Sequence, residues 1–316
     1  MTTLYIDHKH ARLEVEGQTL VARLGEQRQR PVPLALLERV VCLATVQLDT
    51  QVLGTLAEHG IAFTIASQRK PQRRALLLGS GHNDARLRLL HYRLAQDTAW
   101  RLLFAQQLLS AKFAAHQRLL TAMLQERPDQ RKVLSDAQQQ LQTQQSQVTQ
   151  AVNLASLLGM EGAAARAFFS GFAAVLPASL DFNGRKRRPP PDPVNASLSL
   201  AYTLLHNRAV QIIHTQGLEP LLGFFHEIYY GRESLASDLI EAWRPHIDGW
   251  VWEMFRKQTL RAEHFKRDAN GCFLDKAGRQ IFFAQLEMRL RPITRALRWQ
   301  VRDLIRAMQQ QEANHA

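Results

Sequence analysis

The chain has very little cysteine and no long hydrophobic run. Cys42 and Cys272 are its only cysteines, which excludes a disulfide framework and a cysteine-rich zinc site. No segment reaches the roughly 18 to 20 consecutive apolar residues that a membrane-spanning helix requires. The first residues lack the basic and apolar regions of a secretory signal peptide. We therefore expect a cytosolic protein.

Acidic residues are in the minority. The 40 Lys and Arg residues exceed the 28 Asp and Glu residues and give a net charge of +12. Such an excess indicates an anionic partner and says nothing of the fold. Nucleic acid is the leading candidate, and an anionic membrane surface is the second. At 316 residues, the chain is long enough for two domains with their own cores.

The first part of the chain has the pattern of short strands. Apolar alternation and β-branched residues predict strands over 3–7, 12–16, 19–24, 39–48 and 61–66. Apolar residues at helical spacing predict one helix over 50–59, which Gly60 is well placed to end. These elements form a small β-rich domain over residues 1–75. Dimerisation is its predicted role, because it holds little of the chemistry described below.

From about residue 84 the apolar residues recur at helical spacing. The predicted helices are 84–126, 130–157, 161–175, 194–215, 218–227, 233–243, 247–258 and 282–311. Prolines in the segment 181–193 exclude a helix there, and we expect a mobile basic loop. The predicted fold class is therefore α+β, with the small β-rich domain followed by a larger all-α catalytic domain over 76–316.

Three short motifs place acids and an imidazole in apolar or helix-forming stretches. Glu161 precedes Gly162 and three alanines, and His226 ends an apolar run. Asp238 and Glu241 lie three residues apart on one predicted helix and share a face. Carboxylates with one imidazole form a hard ligand set that suits Mg²⁺ or Mn²⁺. A divalent ion would also relieve the repulsion between neighbouring carboxylates.

Each motif also has a plain structural interpretation. A Glu near a helix N-terminus is usually a favourable partner of the helix dipole. A lone His in an apolar run is more often a hydrogen-bonded core residue, and two acids on one helix are usually solvated.

Two basic segments have the same ambiguity. They are either solvated loops or part of a phosphate-binding track. Such a track supplies affinity for nucleic acid and salt dependence, but no sequence specificity. Their residues are Arg69, Lys70, Arg73, Arg74, Arg185, Lys186, Arg187 and Arg188.

Taken together, the motifs resemble those of the CRISPR-associated spacer-acquisition nuclease/integrase family. The first family motif is similar to residues 161–169, Glu-Gly-Ala-Ala-Ala-Arg-Ala-Phe-Phe, and the middle one to Asp-Pro-Val-Asn-Ala at 192–196. The last motif comprises His226, Arg-Glu-Ser-Leu-Ala at 232–236, Asp-Leu-Ile-Glu at 238–241 and Arg-Pro at 244–245. Each motif alone is weak evidence, but all of the motifs in this order are specific for the family.

The resemblance implies a catalytic site and its metal. Glu161, His226 and Glu241 would bind Mg²⁺ or Mn²⁺, with Asp238 close by as a supporting or alternative ligand. Arg232 or Arg244 would clamp a phosphate with two hydrogen bonds, although pairing with Asp238 or Glu241 is an equal alternative.

The resemblance also implies a reaction and partners. Members of the family act as homodimers docked on a small dimeric partner, the "Cas-two" protein. The complex captures a short fragment of double-stranded DNA and joins its 3′ ends into the CRISPR array by transesterification. No membrane is involved.

Two other functions remain open. A non-catalytic helical nucleic-acid-binding scaffold would use these acids only as salt-bridge partners and would work without metal. A zinc hydrolase would use the several histidines, but the chain has no His-Glu-x-x-His motif.

Overall fold

The structure, a computed structural model, describes residues 2–66, 74–79, 81–187 and 189–315. The chain divides into two compact units. The first comprises the described residues up to Asn83 together with His214–Gly217, and the second comprises Asp84–Ile213 and the residues from Leu218 onward. Strands dominate the first unit and helices the second, which confirms the predicted α+β class.

Two small sheets and one α-helix build the described part of the first unit. Its elements are β1 (Thr2–Ile6), β2 (Ala11–Glu16), β3 (Thr19–Leu24), β4 (Gln27–Arg28), β5 (Val32–Pro33), β6 (Leu37–Cys42), β7 (Val46–Leu48), α1 (Thr50–Glu58), β8 (Ala62–Ala66) and β9 (Arg74–Leu77). One sheet has the strand order β1-β6-β8-β9, and the other has the order β4-β3-β2-β7, with β5 paired to β3.

The hydrophobic core of this unit is formed by alternate apolar residues of the strands and by the apolar face of α1. Ala11 and Leu13 of β2 are buried, as are Val52 and Leu56 of α1. Asp49 caps α1 by accepting a hydrogen bond from the Gln51 amide at 2.9 Å. The predicted helix over 50–59 is confirmed. The single strand predicted over 39–48 is wrong, because the chain leaves one sheet after β6 and enters the other at β7.

Eight α-helices and one hairpin are the main elements in the described part of the second unit. They are α2 (Ala85–Gln96), α3 (Thr98–Glu126), α4 (Arg131–Gln147), α5 (Leu154–Ala174), α6 (Pro193–Thr215), α7 (Ser234–Glu241), α8 (Arg244–Arg256), β10 (Phe265–Asp268), β11 (Gly271–Leu274) and α9 (Lys276–His315). None of the helices in the described ranges is both long enough and apolar enough to cross a membrane.

Helix boundaries differ from the predictions where a polar side chain caps a new helix. The predicted helix over 84–126 is two helices, because the Asp97 carboxylate accepts the amides of Ala99 and Trp100 at the start of α3. Asn153 likewise caps α5 through the Ser156 amide. Since α5 begins at Leu154, Glu161 lies two turns into this helix and not at its N-terminus.

Two further expectations for this unit are wrong. Residues 218–227 form turns and bends, not a helix. The sequence pattern does not predict the β10–β11 hairpin, so the second unit is mostly helical and not all-α. In contrast, the described residues of 181–192 are free of α-helix, as the prolines require. Pro193, the last residue of the predicted helix-free segment 181–193, is instead the first residue of α6, a position that proline tolerates.

Gly171 is required by the close packing of α3, α4 and α5. A Cβ atom at this position would lie 3.2 Å from Ala137 Cβ and 3.2 Å from Leu120 Cδ2. We predict that Gly171→Leu lowers the free energy of unfolding by about 1–3 kcal/mol through overpacking. Gly159→Leu is the matched control on the same helix, because a Cβ there meets nothing within 4 Å. Equal urea midpoints for the two variants would contradict this packing.

Candidate metal centre

Two carboxylates from different helices meet at one buried ammonium group. Lys112 Nζ of α3 lies 2.5 Å from Glu161 Oε1 of α5 and 2.6 Å from Glu241 Oε2 at the end of α7. The side chains of Lys112 and Glu241 are each 5% exposed, and that of Glu161 is 26% exposed. The two acids predicted to share a cation therefore face the same positive charge.

The buried charges of this cluster stabilise one another. Burial alone would raise the pKa of Glu241, but the charges of Arg244 and Lys112 outweigh it and hold that pKa well below its usual range. Burial alone would lower the pKa of Lys112, but the charges of Glu241 and Glu161 outweigh it and raise that pKa. Arg244 Nε also donates a hydrogen bond to Glu241 Oε1 at 2.8 Å. Glu241 and Lys112 are consequently both ionised.

His226 is oriented by Asp238. The distance from His226 Nδ1 to Asp238 Oδ1 is 2.6 Å, and because a carboxylate only accepts, Nδ1 carries the proton. Whenever the ring is neutral, Nε2 is then the unprotonated nitrogen. When protonated, the ring carries a positive charge that contributes, after Arg244 and Lys112, to lowering the pKa of Glu241. This is the arrangement of a metal-binding histidine, whose second nitrogen usually donates to a carboxylate.

Asp238 shapes the loop that carries His226. Its Oδ2 accepts the backbone amides of Phe224 at 2.7 Å and Phe225 at 3.0 Å, and its Oδ1 accepts the amide of His226 at 3.0 Å. Because these amides point at one carboxylate, residues 224–226 cannot form the predicted helix. A Cβ on Gly223 would lie 2.7 Å from Asp238 Oδ2, so only glycine fits this close approach.

His91 of α2 fixes the segment before Gly223. Its Nε2 donates to the Leu222 carbonyl at 3.0 Å, and its Nδ1 accepts the Glu219 amide at 3.3 Å. The ring is fully buried, and burial lowers the pKa of His91 to about 4. The neutral ring therefore supports the loop that presents His226.

A cavity of about 640 Å³ lies beside Glu161 and Glu241. Among the residues that the structure describes, four arginines line it, namely Arg166, Arg185, Arg187 and Arg244. The remaining polar lining includes Lys112, Tyr202 and Asp248. A cavity with this lining is suited to an anion that approaches the two carboxylates.

The donor set fits a hard divalent cation. Two carboxylates and a carboxylate-oriented imidazole suit Mg²⁺ or Mn²⁺, and Lys112 already places a cation between the two acids. Among the described residues, no group of three or more His, Cys, Asp or Glu side chains is close enough to hold a metal as the side chains stand. Lys112, and not a closed ligand cage, joins the acids here.

The family is decided by comparison with known proteins. The model of the family described as "CRISPR associated protein Cas1" matches residues 4–288. This chain belongs to the Cas1 family. It is 34% identical over 293 residues to the "CRISPR-associated endonuclease Cas1 1" of Thermodesulfovibrio yellowstonii, and the match covers 91% of each chain.

Solved structures show the Cas1 fold. A "Casposase bound to integration product" has a TM-score of 0.86 at 19% identity, over 98% of this chain and 91% of that one. A chain of a "Cas6-RT-Cas1--Cas2 complex" has a TM-score of 0.84 at 23% identity, over 98% of this chain and 35% of that one. At these identities the likeness concerns the fold alone.

Arg185 of the predicted basic loop is held in place in this Cas1 chain. Its guanidinium donates to Asn195 Oδ1 at 2.8 Å and to Ser199 Oγ at 3.0 Å. Asn195 is itself fixed by Asp192, whose Oδ2 accepts from Asn195 Nδ2 at 2.7 Å. The expectation of a mobile loop is therefore wrong at Arg185. Lys186 and Arg187 are exposed.

The other predicted DNA contacts are placed unevenly. Arg69, Lys70, Arg73 and Arg188 lie outside the described residues, as does the side chain of Arg74. Arg244 lies over the Tyr202 ring at 4.5 Å and pairs with Glu241. Arg232 is half-buried and is not among the residues that line the cavity.

Sequence reasoning missed two groups that line this site. One is Lys112, and the other is a buried cluster in which Tyr202 and His116 both donate to the Asp248 carboxylate. Burial raises the pKa of Tyr202 and lowers that of His116. A signal was present, because Lys112 and His116 follow Leu108 and Leu109 at helical spacing on the buried face of α3. A charged residue on an apolar helix face indicates a buried partner.

The low pKa of His91 predicts a pH dependence of stability. As pH falls from about 6.5 to 4, the unfolded chain binds a proton that the folded chain excludes, so stability is lost at about 1.4 kcal/mol per pH unit. His91→Gln removes this term. The difference in unfolding free energy between wild type and variant should shrink by roughly 2 kcal/mol between pH 7 and pH 5 in urea titrations. A pH-independent difference would refute the buried neutral ring.

Proposed function

We propose that this chain is a divalent-metal-dependent DNA endonuclease and integrase of CRISPR adaptation. It captures short foreign DNA fragments and joins their 3′ ends into the CRISPR array by transesterification. The observation that carries the proposal is the meeting of Glu161 and Glu241 at one positive charge, beside an oriented His226 and a basic cavity. Membership of the Cas1 family and the names of its relatives support the same reaction.

Glu161, His226 through Nε2 and Glu241 would hold Mg²⁺ or Mn²⁺. When bound, the metal would lower the pKa of a water or 3′-hydroxyl nucleophile and neutralise charge on the phosphate. Asp238 holds the proton on Nδ1 of His226 and so keeps Nε2 available. Asp238 is a positioning residue in this proposal, because both of its oxygens are taken by His226 and three backbone amides.

Basic side chains of the cavity would hold the DNA phosphates. Arg244 is fixed by Glu241 and by stacking on Tyr202, so little side-chain freedom is lost when it binds an anion. Arg185 is fixed by Asn195 and Ser199. These restraints orient the phosphate before reaction, and proximity supplies much of the rate.

We infer the partners from the proposed reaction. The DNA is double-stranded, and the protein acts in the cytosol as a homodimer with a small dimeric Cas2-type protein. The structural likeness to a chain of a "Cas6-RT-Cas1--Cas2 complex" supports that partner. The β-rich domain over 1–75 is proposed to mediate dimerisation, and the domain over 76–316 to carry the reaction.

A non-catalytic nucleic-acid-binding scaffold is the second candidate. The ion pairs of Lys112 with Glu161 and Glu241 favour it, because they satisfy both acids without a metal. Such a scaffold would bind DNA equally well in a chelator and would neither cleave nor join it.

Substitutions at the proposed ligands separate the two candidates. Glu161→Gln and His226→Ala should abolish Mn²⁺-dependent cleavage and strand joining while the circular dichroism spectrum stays native. Asp238→Asn should cost about 10- to 100-fold, as expected for a residue that orients a ligand. Glu253→Gln is the control, since this acid of α8 forms its ion pair with Lys257, away from the centre. Full activity of His226→Ala would rule out the catalytic assignment.

The exposed basic residues Lys186 and Arg187 give a prediction for DNA affinity. Replacing both with Gln should reduce the slope of log affinity against log salt by about 0.9 for each phosphate that is no longer neutralised. Unrelated duplexes should weaken about equally. The double variant Arg131→Gln/Lys132→Gln removes the same charge from the start of α4 and should leave the slope nearly unchanged. Identical slopes in both double variants would show that Lys186 and Arg187 do not contact the DNA phosphates.

A further inference from the structure

We propose that Lys112 occupies the metal position before the metal binds and moves to the DNA phosphate when the metal arrives. This inference rests on the proposed metal-dependent function. Lys112 would then be a positioning residue that keeps Glu161 and Glu241 together in the empty site. It would also set the affinity for the metal.

The geometry makes Lys112 a substitute for a cation. Its ammonium nitrogen contacts one oxygen of each carboxylate at 2.5 and 2.6 Å, and its side chain is almost fully buried. Without a cation, Glu161 and Glu241 would repel each other inside the protein. Without the acids, the buried ammonium would be unpaired, at a large energetic cost. Each group therefore requires the others when no metal is present.

A divalent cation and the ammonium group cannot share this position. A cation held by Glu161 and Glu241 would be close to the ammonium group that these carboxylates contact, and like charges at short range repel strongly at low dielectric. Metal binding therefore requires Lys112 to leave at least one carboxylate. Its long flexible stem permits this movement, whereas the backbone of α3 need not shift.

The cavity provides a destination for the displaced ammonium. Lys112 lines the same cavity as Arg185, Arg187 and Arg244, so it can turn from the carboxylates towards an anion held there. In the proposed function that anion is a DNA phosphate. The binding of metal and the binding of DNA would consequently favour each other. The metal releases Lys112 from the carboxylates, and the phosphate gives the released ammonium group a new partner.

The first experiment measures Mn²⁺ binding without DNA by isothermal titration calorimetry. Lys112→Met keeps the length of the side chain and removes its charge. We expect Mn²⁺ to bind this variant at least about tenfold more tightly, because Mn²⁺ no longer has to displace the Lys112 ammonium group from the carboxylates. Lys257→Met is the control at an exposed lysine and should bind as wild type does. Equal or weaker binding by Lys112→Met would overturn the proposal.

Thermal unfolding gives a second readout. In a chelator, Lys112→Met should unfold at a lower temperature than wild type, and saturating Mn²⁺ should raise its midpoint by more than it raises that of wild type. A variant that folds only with Mn²⁺ would support the proposal equally. If Lys112→Met does not fold in either condition, Lys112→Arg decides. Its planar fork should hold both carboxylates more firmly and weaken Mn²⁺ binding, and unchanged affinity would refute the competition.

The coupling to DNA is tested by anisotropy with a short labelled duplex at constant salt. Mn²⁺ should tighten duplex binding by wild type about fivefold or more, as for a typical coupling between sites, and by Lys112→Met clearly less. Glu161→Gln separates this inference from the proposed function. If wild type shows no Mn²⁺ binding that depends on Glu161, the metal function itself fails. If that binding is present but Lys112→Met neither tightens it nor loses the coupling, only the role of Lys112 fails.

Discussion

Two acidic side chains from separate helices can meet in the interior with both groups ionised only if a positive charge offsets their repulsion. Glu161 comes from the middle of α5 and Glu241 from the end of α7, and Lys112 of α3 supplies that charge. Three helices are thereby tied together by one buried ion cluster. The penalty for burying each charge is offset only in this arrangement, so the helices must pack in the register that brings these residues together. Gly171 allows that register by letting α5 approach α3 and α4 closely.

A second carboxylate organises the irregular part of the site. Asp238 of α7 accepts hydrogen bonds from three backbone amides and from the His226 ring, so a loop without regular structure is fixed by one side chain. Gly223 and the buried His91 make that loop possible, one by leaving room for the carboxylate and the other by bonding the preceding turn. The proposed ligand His226 thus owes its orientation to groups that would never touch the metal.

Local patterns in the sequence predicted the elements that depend on one face of a helix or strand. The spacing of apolar residues was sufficient for α6 and α7, and it placed Asp238 and Glu241 on one short helix. It failed at residues 218–227, where the apolar run is bent by a carboxylate that lies 12 to 14 residues further along the chain. It also failed between β6 and β7. A run of β-branched residues favours a strand, but it does not indicate whether the chain passes from one sheet to another within that run. Lys112, one of the two groups that were missed, was visible as a charge on the buried face of α3, but the sequence did not indicate its partner.

The charge balance of the centre explains how a basic protein can present acids to DNA. Glu161 and Glu241 are matched by Lys112 and Arg244, so the four ion-paired groups at the core of the centre are nearly neutral as a set. A divalent cation added to this set would give it an excess of positive charge next to a cavity that Arg185 and Arg187 already line. The centre would then attract a phosphate more strongly with the metal in place than without it. Acids at the heart of the site therefore do not repel the substrate, because the protein carries their counter-charges within the same cluster.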